Sequence, residues 1–189
     1  DALLAGSSSI YKSLECAIRL AELLGEPTAK WRAARKRLGD AVRSKPHRFD
    51  RQWEDKNYFS MNWYYPVLAG VYQGDAARRR IDGRWDEFVT EGKGCRCVLG
   101  QPWVTIAESC ELSLALVGAG EKDRALAVWQ SQHQWRDADG AYWMGWQYEQ
   151  DQPWPHEKPA WTSAAVLIAA DALANATDAS RILCAVEID

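Results

Sequence analysis

The sequence predicts a mainly α-helical fold made of repeated helical hairpins, on three observations. Apolar segments recur with a period of about 50 residues. Each apolar segment opens near a residue of the types that cap helix starts. A short turn and an amphipathic helix follow each of the first three. This organisation is typical of a helical array or of a closed ring of hairpins.

The apolar helices are predicted to be buried on most sides, because small and apolar residues surround their whole circumference. They span 8–25, 61–74, 103–120 and 161–176. The N-cap residues that we expect for them are Ser9, Asn62, Thr105 and Thr162.

The second helix of each hairpin should expose one face to water. The predicted ranges are 28–44, 75–89 and 121–134. In the third range, Ala125, Val128 and Trp129 recur at i, i+3 and i+4, which makes a single apolar stripe.

Three long connections, 45–60, 90–102 and 135–160, alternate with the short turns. Because the short turns join the helices of one hairpin, all the long connections should emerge at the same end, as one functional mouth. In the third of them, Asp139-Gly140 and the alternating aromatic residues that follow predict a short β-hairpin. A short strand is expected at 95–99.

Length, charge and cysteine use restrict the class of protein. The 189 residues suffice for one domain, which we expect to span 1–189. With 23 basic and 26 acidic residues there is no basic surplus for nucleic acid, and no apolar run is long enough to span a bilayer. Five cysteines without a CxxC motif and three isolated histidines predict reduced thiols in a cytoplasmic protein, with no metal site and no cofactor.

Four stretches carry a resemblance to a known family: "FSMNWYYPVLAG", "GKGCRCVLGQPWVTIAESCELSLAL", "RDADGAYWMGW" and "WTSAAVLIAADAL". They resemble actinobacterial proteins described as prenyltransferase-like, over about residues 1–175. Those proteins are similar to the α/α toroids of six-hairpin glycosidases, terpenoid cyclases and protein prenyltransferases. The resemblance implies an α/α toroid with more helices than this chain supplies. It therefore implies the C-terminal portion of the ring, completed by an upstream segment or a second chain.

The favoured interpretation is a domain that processes or binds a small molecule, most of all a carbohydrate or glycoside, in a cleft lined by aromatic and carboxylate side chains. The segment 137–161 is rich in tryptophan and holds five carboxylates. Sugars pack their C–H faces on aromatic rings, and a glycosidase needs two carboxyl groups about 5–10 Å apart. The catalytic candidates are Glu108, Glu111, Asp139 and Glu157. The substrate-binding candidates are Trp63, Tyr64, Tyr65, Arg96, Trp103, Trp143, Trp146 and Trp161.

Each carboxylate also has a structural interpretation. Thr105 and Glu108 are spaced as a capping box, in which Glu108 would bind a backbone N–H at the helix start. Glu111 could be a buried, hydrogen-bonded group. Asp139 precedes a glycine, as turn residues do, and Glu157 follows two prolines in a solvated loop.

Two alternatives to the carbohydrate interpretation stay open. One is an isoprenoid enzyme of the prenyltransferase or cyclase type. Its Asp-x-Asp-Asp motif is incomplete here, since "RDADG" supplies only Asp137 and Asp139, and no zinc-binding set occurs at recognisable spacing. Such an enzyme would need its acids or metal ligands upstream. The other alternative is a noncatalytic helical binding or scaffold module, with its aromatic rings packed together and no cavity.

Overall fold

A computed structural model describes residues 2–52 and 55–186. The helices are α1 (Leu4–Leu23), α2 (Ala29–Ser44), α3 (Ser60–Leu68), α4 (Gly74–Asp82), α5 (Trp85–Phe88), α6 (Ile106–Gly118), α7 (Lys122–Ser131) and α8 (Ala160–Ala174). The strands are β1 (Val89–Thr90), β2 (Gly94–Cys95), β3 (Trp103–Thr105), β4 (Gly145–Gln147) and β5 (Gln152–Pro153). Turns of 3-10 helix occupy Pro46–Arg48, Lys56–Tyr58, Gln132–Trp135 and Asp178–Arg181. The predicted mainly α fold is confirmed.

The helices form two rows that follow the order of the sequence. In the first row, which we call the apolar row, α1 contacts α3, α3 contacts α6, and α6 contacts α8. In the second row, α2, α4 and α7 pack on α1, α3 and α6. The predicted pairing of an apolar helix with an amphipathic one therefore holds for all three hairpins. Among the described residues, no helix is both long and apolar enough to cross a membrane.

Helix α6 lies at the centre of the core. Leu112 and Leu116 are fully buried in a cluster with residues of α3, α4 and α7. On its other side, Cys110 and Leu114 pack in a second cluster with residues of α8. Full burial of each leucine contributes about 1.5–3 kcal/mol. Since both sides are occupied, only a narrow stripe of α6 is left for polar side chains.

The three long loops contact one another beside the starts of the apolar-row helices. The first and second loops meet where the Ser60 N–H donates to the Cys97 carbonyl at 3.0 Å. The second and third loops meet in an antiparallel sheet with the order β3-β4-β5. Because β3 runs directly into α6, this sheet fixes the start of that helix. The predicted grouping of the long loops at one end agrees with these contacts.

The N-cap predictions are wrong for three of the four helices, which begin earlier than expected. The residues that lie inside helices instead of at their starts are Ser9, Asn62 and Thr162. Thr105 is the N-cap of α6, but its hydroxyl makes no bond to the helix backbone. The first helical N–H there, that of Ile106, donates to the Met144 carbonyl at 3.2 Å. Packing between loops has replaced local capping.

Two further predictions are corrected in detail. The predicted helix 75–89 is α4 followed by the short α5, with Gly83 at the break. The expected strand at 95–99 pairs as β2 only at its start and continues as single bridges, Arg96 with Val104 and Phe59 with Val98. The turn at Asp139-Gly140 forms as predicted, with an antiparallel bridge across it.

The C-terminal segment, residues 177–186, returns from α8 across the other helices of the apolar row. The Ala185 carbonyl accepts a hydrogen bond from Lys12 Nζ of α1 at 2.5 Å. The Cys184 carbonyl lies against Gly118 at the end of α6, where an added Cβ would stand 3.0 Å from it. This segment therefore connects the two ends of the apolar row.

Candidate functional site

Glu108 and Glu111 lie on the stripe of α6 that neither neighbouring cluster covers. They are three residues apart, so the helix places them on one face with Cβ atoms about 5–6 Å apart. Glu111 lines a cavity of about 480 Å³ that is bounded by α1, α3, α6 and the C-terminal segment. The cavity wall is largely apolar, with Leu68 and Ile182 among its residues.

Two adjacent tyrosines of α3 hold the Glu111 carboxylate. The Tyr64 hydroxyl donates to Oε2 at 2.6 Å, and the Tyr65 hydroxyl donates to Oε1 at 3.0 Å. Tyr64 is fully buried, whereas Tyr65 is partly exposed and lines the same cavity. Both carboxylate oxygens are therefore fixed in place while one face of the group remains at the cavity.

Glu108 has a different pair of donors, from the second loop and the helix start. Its Oε2 accepts a very short hydrogen bond from the Thr105 hydroxyl. Its second donor is the Cys97 thiol. The spacing of a capping box is present, but Glu108 binds the threonine hydroxyl. The hydroxyl oxygen of the next residue, Ser109, accepts a hydrogen bond from the Cys95 N–H at 2.8 Å. This bond anchors the second loop to α6.

Burial raises the pKa of both glutamates above the ordinary value. For Glu111, the tyrosine donors offset part of this increase in pKa. For Glu108, the hydrogen bonds from Thr105 and Cys97 also lower the pKa, whereas the charge of Glu111 raises it further. Two coupled, desolvated carboxyl groups cannot both ionise as easily as exposed ones. The pair therefore retains a proton at pH values where an exposed glutamate has lost it.

The cavity also contains a lysine, but its charge is already compensated. Lys12 Nζ binds Glu15 at 3.1 Å in addition to the Ala185 carbonyl. Glu15 in turn pairs with Arg35 of α2 at 2.8 Å. This buried group of charges joins α1 to α2, so we assign it a structural role.

Asp139 and Glu157, the other two catalytic candidates, lie elsewhere. Asp139 is exposed at its turn, where it accepts the Ala141 N–H at 3.0 Å and pairs closely with Lys158. The hydrogen bond from Lys158 lowers the pKa of Asp139. The Glu157 side chain is exposed, and its backbone carbonyl accepts the Met144 N–H. Among the described residues, no hydrogen bond or ion pair joins Asp139 or Glu157 to the pair on α6.

Trp63 is placed in the core, away from the cavity. It is 1% exposed, its ring stacks on Phe88 at 5.3 Å, and its indole N–H donates to the Arg80 carbonyl. Neither face of this ring is open to a ligand. Of the three consecutive aromatic residues on α3, only Tyr65 lines the cavity.

The remaining binding candidates lie in the loops and at the start of α8. Arg96 donates to the Tyr148 hydroxyl at 3.1 Å and to the Glu87 carbonyl of α5 at 2.8 Å. Trp146 stacks on Trp135, and Trp143 packs on His156 beneath the Lys158 ammonium. Trp103 packs edge-to-face against Trp154. Trp161, in the first turn of α8, is 54% exposed.

Several residues of the site carry no signal in the sequence. Cys97 reaches Glu108 only because β2 packs against α6, and the cavity residue Ile182 belongs to the C-terminal segment. Tyr64 and Tyr65 could be found, since paired aromatic residues next to an apolar helix are visible in the sequence. In the described parts of the chain, no three His, Cys, Asp or Glu side chains are grouped so as to hold a metal ion.

Comparison with known proteins gives one informative match. The chain is 46% identical over 188 residues to a protein of Mycolicibacterium hassiacum named MMP endo-(1,4)-3-O-methyl-alpha-D-mannosidase. The alignment covers 100% of this chain and 51% of that protein, so the chain spans about half the length of the curated relative that it matches. No protein-family model matches the chain.

Proposed function

We propose that this chain forms part of a glycoside hydrolase whose substrate is an α-mannose chain that carries 3-O-methyl groups and is cut at an internal (1,4) bond. The name of the mannosidase relative supports the choice of substrate. The observation that carries the choice of site is the Glu111 carboxyl, which lines the cavity between its two tyrosine donors.

The chemistry of glycosidic hydrolysis suits a coupled pair of carboxyl groups. One group must be protonated to deliver a proton to the leaving oxygen, and the other must be ionised to act as base or nucleophile. A pair that shares one proton provides both forms at the same pH. We assign to Glu111 the proton transfer to the leaving glycosidic oxygen, because it lines the cavity. Tyr64 and Tyr65 then stabilise the carboxylate that this transfer leaves behind. Water adds to the anomeric carbon as that C–O bond breaks, and the proton that the water loses restores the Glu111 acid.

The test is hydrolysis of an α-(1,4)-linked oligosaccharide of 3-O-methylmannose, with the products separated by chromatography and identified by mass. Combined with a chain equivalent to the uncovered half of the mannosidase relative, the wild-type chain should release internal fragments. Glu111→Gln should bind the oligosaccharide but not cleave it, and should retain the far-ultraviolet circular dichroism of the wild type. Cleavage by Glu111→Gln at the wild-type rate would exclude the assignment. Absence of both binding and cleavage by the wild-type chain in that combination would exclude the function.

We further infer that the apolar row is an arc of an α/α toroid. Its two edge helices expose apolar side chains: Ile10, Leu20, Leu23 and Leu24 on α1, and Trp161, Leu167 and Ile168 on α8. Such surface usually marks an interface. Additional helices, equivalent to the half of the mannosidase relative that this chain does not cover, would bury both edges. The relative's uncovered half, added as a separate chain, should bind to this one and raise its melting temperature; no binding would contradict the arc.

A further inference from the structure

A second concave surface lies outside the cavity, on the sheet formed by the second and third loops. It is a groove of about 360 Å³ with apolar walls, among them Trp103, Trp154 and Pro102. Its polar lining is entirely amide: Gln101, Gln147 and Gln150. We call it the Trp-Gln groove.

The tryptophans of the Trp-Gln groove are held in place by the sheet. The Trp103 indole N–H donates to the Trp154 carbonyl at 2.5 Å, and the two rings meet edge-to-face with centroids 4.8 Å apart. Gly145, on the neighbouring strand, leaves the space that the Trp103 ring needs, since any Cβ there would collide with it. Trp154 itself is 54% exposed. An ordered and exposed ring costs little conformational entropy when a ligand packs on it.

The amides of the Trp-Gln groove present donors. The Gln147 side-chain carbonyl accepts the Gln150 backbone N–H at 2.7 Å. The Gln150 side-chain carbonyl accepts from the Gln152 amide at 2.6 Å. Within residues 2–52 and 55–186, no partner is recorded for the side-chain NH₂ groups of Gln147 and Gln150. These two groups are available to acceptor atoms of a ligand.

We propose that the Trp-Gln groove binds a 3-O-methylated mannose ring of the substrate, at a distance from the bond that is cut; this inference rests on the proposed function. A methyl ether oxygen can accept a hydrogen bond but cannot donate one, which suits amide NH₂ groups. Its methyl group and the C–H face of the sugar suit the tryptophans. A free hydroxyl at the same position would lose solvation against these walls.

The position of the groove fits a substrate that extends beyond the reacting bond. Trp103 begins β3, which leads into α6, and Glu108 stands five positions further along the chain. Their backbones are therefore at most about 18 Å apart. Glu111 lies about 5 Å further along α6. An oligosaccharide of several sugar units is long enough to reach from the Trp-Gln groove to Glu111, as cleavage within a chain requires.

The experiment measures binding by calorimetry to the Glu111→Gln chain combined with the relative's uncovered half, because this variant prevents cleavage. The probes are a disaccharide and a hexasaccharide of α-(1,4)-linked 3-O-methylmannose, and the unmethylated hexasaccharide. The Glu111→Gln chain should bind the methylated hexasaccharide more tightly than both others. Adding Trp154→Ala should weaken binding of the methylated hexasaccharide by about 3- to 10-fold, the range expected for loss of one packed aromatic ring. It should leave binding of the disaccharide unchanged.

Trp31→Ala is the matched control, because Trp31 is 43% exposed on α2, outside both sites. It should bind all probes as the parent does. Equal binding of the methylated hexasaccharide with and without Trp154→Ala would overturn the groove while leaving the proposed function intact. Equal binding of the methylated and unmethylated hexasaccharides would overturn recognition of the methyl ether. If the parent chain binds no probe, the proposed function fails, and the groove proposal fails with it.

Discussion

Two pairs of neighbouring acids, Glu108 with Glu111 and Asp137 with Asp139, differ in their burial and in the groups that bind their carboxylates. Glu108 and Glu111 are partly buried on α6, and within the described residues their carboxylates accept from hydroxyl and thiol donors. Asp137 and Asp139 lie at an accessible turn, where both pair with Lys158. Burial raises the pKa of the glutamates, and the lysine lowers the pKa of the aspartates.

The difference shows that proximity of two carboxylates is not enough for acid chemistry. A general acid must hold its proton near the working pH, which requires desolvation without a compensating cation. The pair on α6 meets both conditions. Asp137 and Asp139 meet neither, because Lys158 stabilises their ionised forms in a solvated setting.

The largest expected effect separates the two pairs by activity. Glu111→Gln should lower the hydrolysis rate by about 10²- to 10⁴-fold, the usual contribution of a general acid. Asp139→Asn should change it by less than about 2-fold, since that side chain is exposed and bound to Lys158. Initial rates on the methylated oligosaccharide measure both. Equal losses in the two variants would remove the distinction between the pairs.

The tyrosine donors of Glu111 should affect how the hydrolysis rate depends on pH. The Tyr65 hydroxyl lowers the pKa of Glu111, so Tyr65→Phe should raise it. Because a general acid is active when protonated, the alkaline limb of the rate profile should move to higher pH. The rate at the optimum should fall by no more than about 10-fold, the equivalent of one hydrogen bond. If the alkaline limb of Tyr65→Phe stays at the wild-type pH, the titration of Glu111 does not produce that limb.

The raised pKa of Glu108 should make the stability of the protein depend on pH. The pKa of Glu108 is raised from 4.5 in the folded protein, so folding retains a proton that the unfolded chain releases above that pH. The free energy of unfolding therefore falls as pH rises from 4.5 through the raised pKa. Glu108→Gln should flatten this decline in a series of urea titrations. A decline as steep as that of the wild type would place its origin in other groups.

The smallest effect is expected at the turn. Lys158→Met removes the cation from Asp137 and Asp139, whose pKa values should then rise toward the ordinary value. Since both carboxylates are accessible to solvent, the free energy of unfolding should change little. Thermal denaturation at low and high salt measures this change. A larger loss would mean that the ion pairs support the loops.

The helical hairpins can be predicted from the sequence, but the residues at which their helices begin cannot. The apolar segments and the stripe that includes Val128 predict the paired rows, because helical periodicity is local information. The starts at Ser9, Asn62 and Thr162 are wrong because each helix begins before these residues. At α1 and α3, loop residues bind the first helical N–H groups in place of local caps.

The candidate site was predictable only in part. Glu108 and Glu111 stand out as acids in an apolar helix, but the sequence could not separate them from Asp139. Their donors and neighbours come from distant parts of the chain. The Trp-Gln groove could not be predicted from the sequence, because it depends on the strand register that pairs Trp103 with Gln147.

A carbon-13 NMR titration of the glutamate carboxyl groups tests directly whether Glu108 and Glu111 form one coupled acid centre. Spectra of Glu108→Gln and Glu111→Gln assign the two resonances. Both groups should titrate above the ordinary glutamate value, and Glu111→Gln should lower the pKa of Glu108. Two resonances that titrate at the ordinary value, each unaffected by loss of the other, would contradict this prediction.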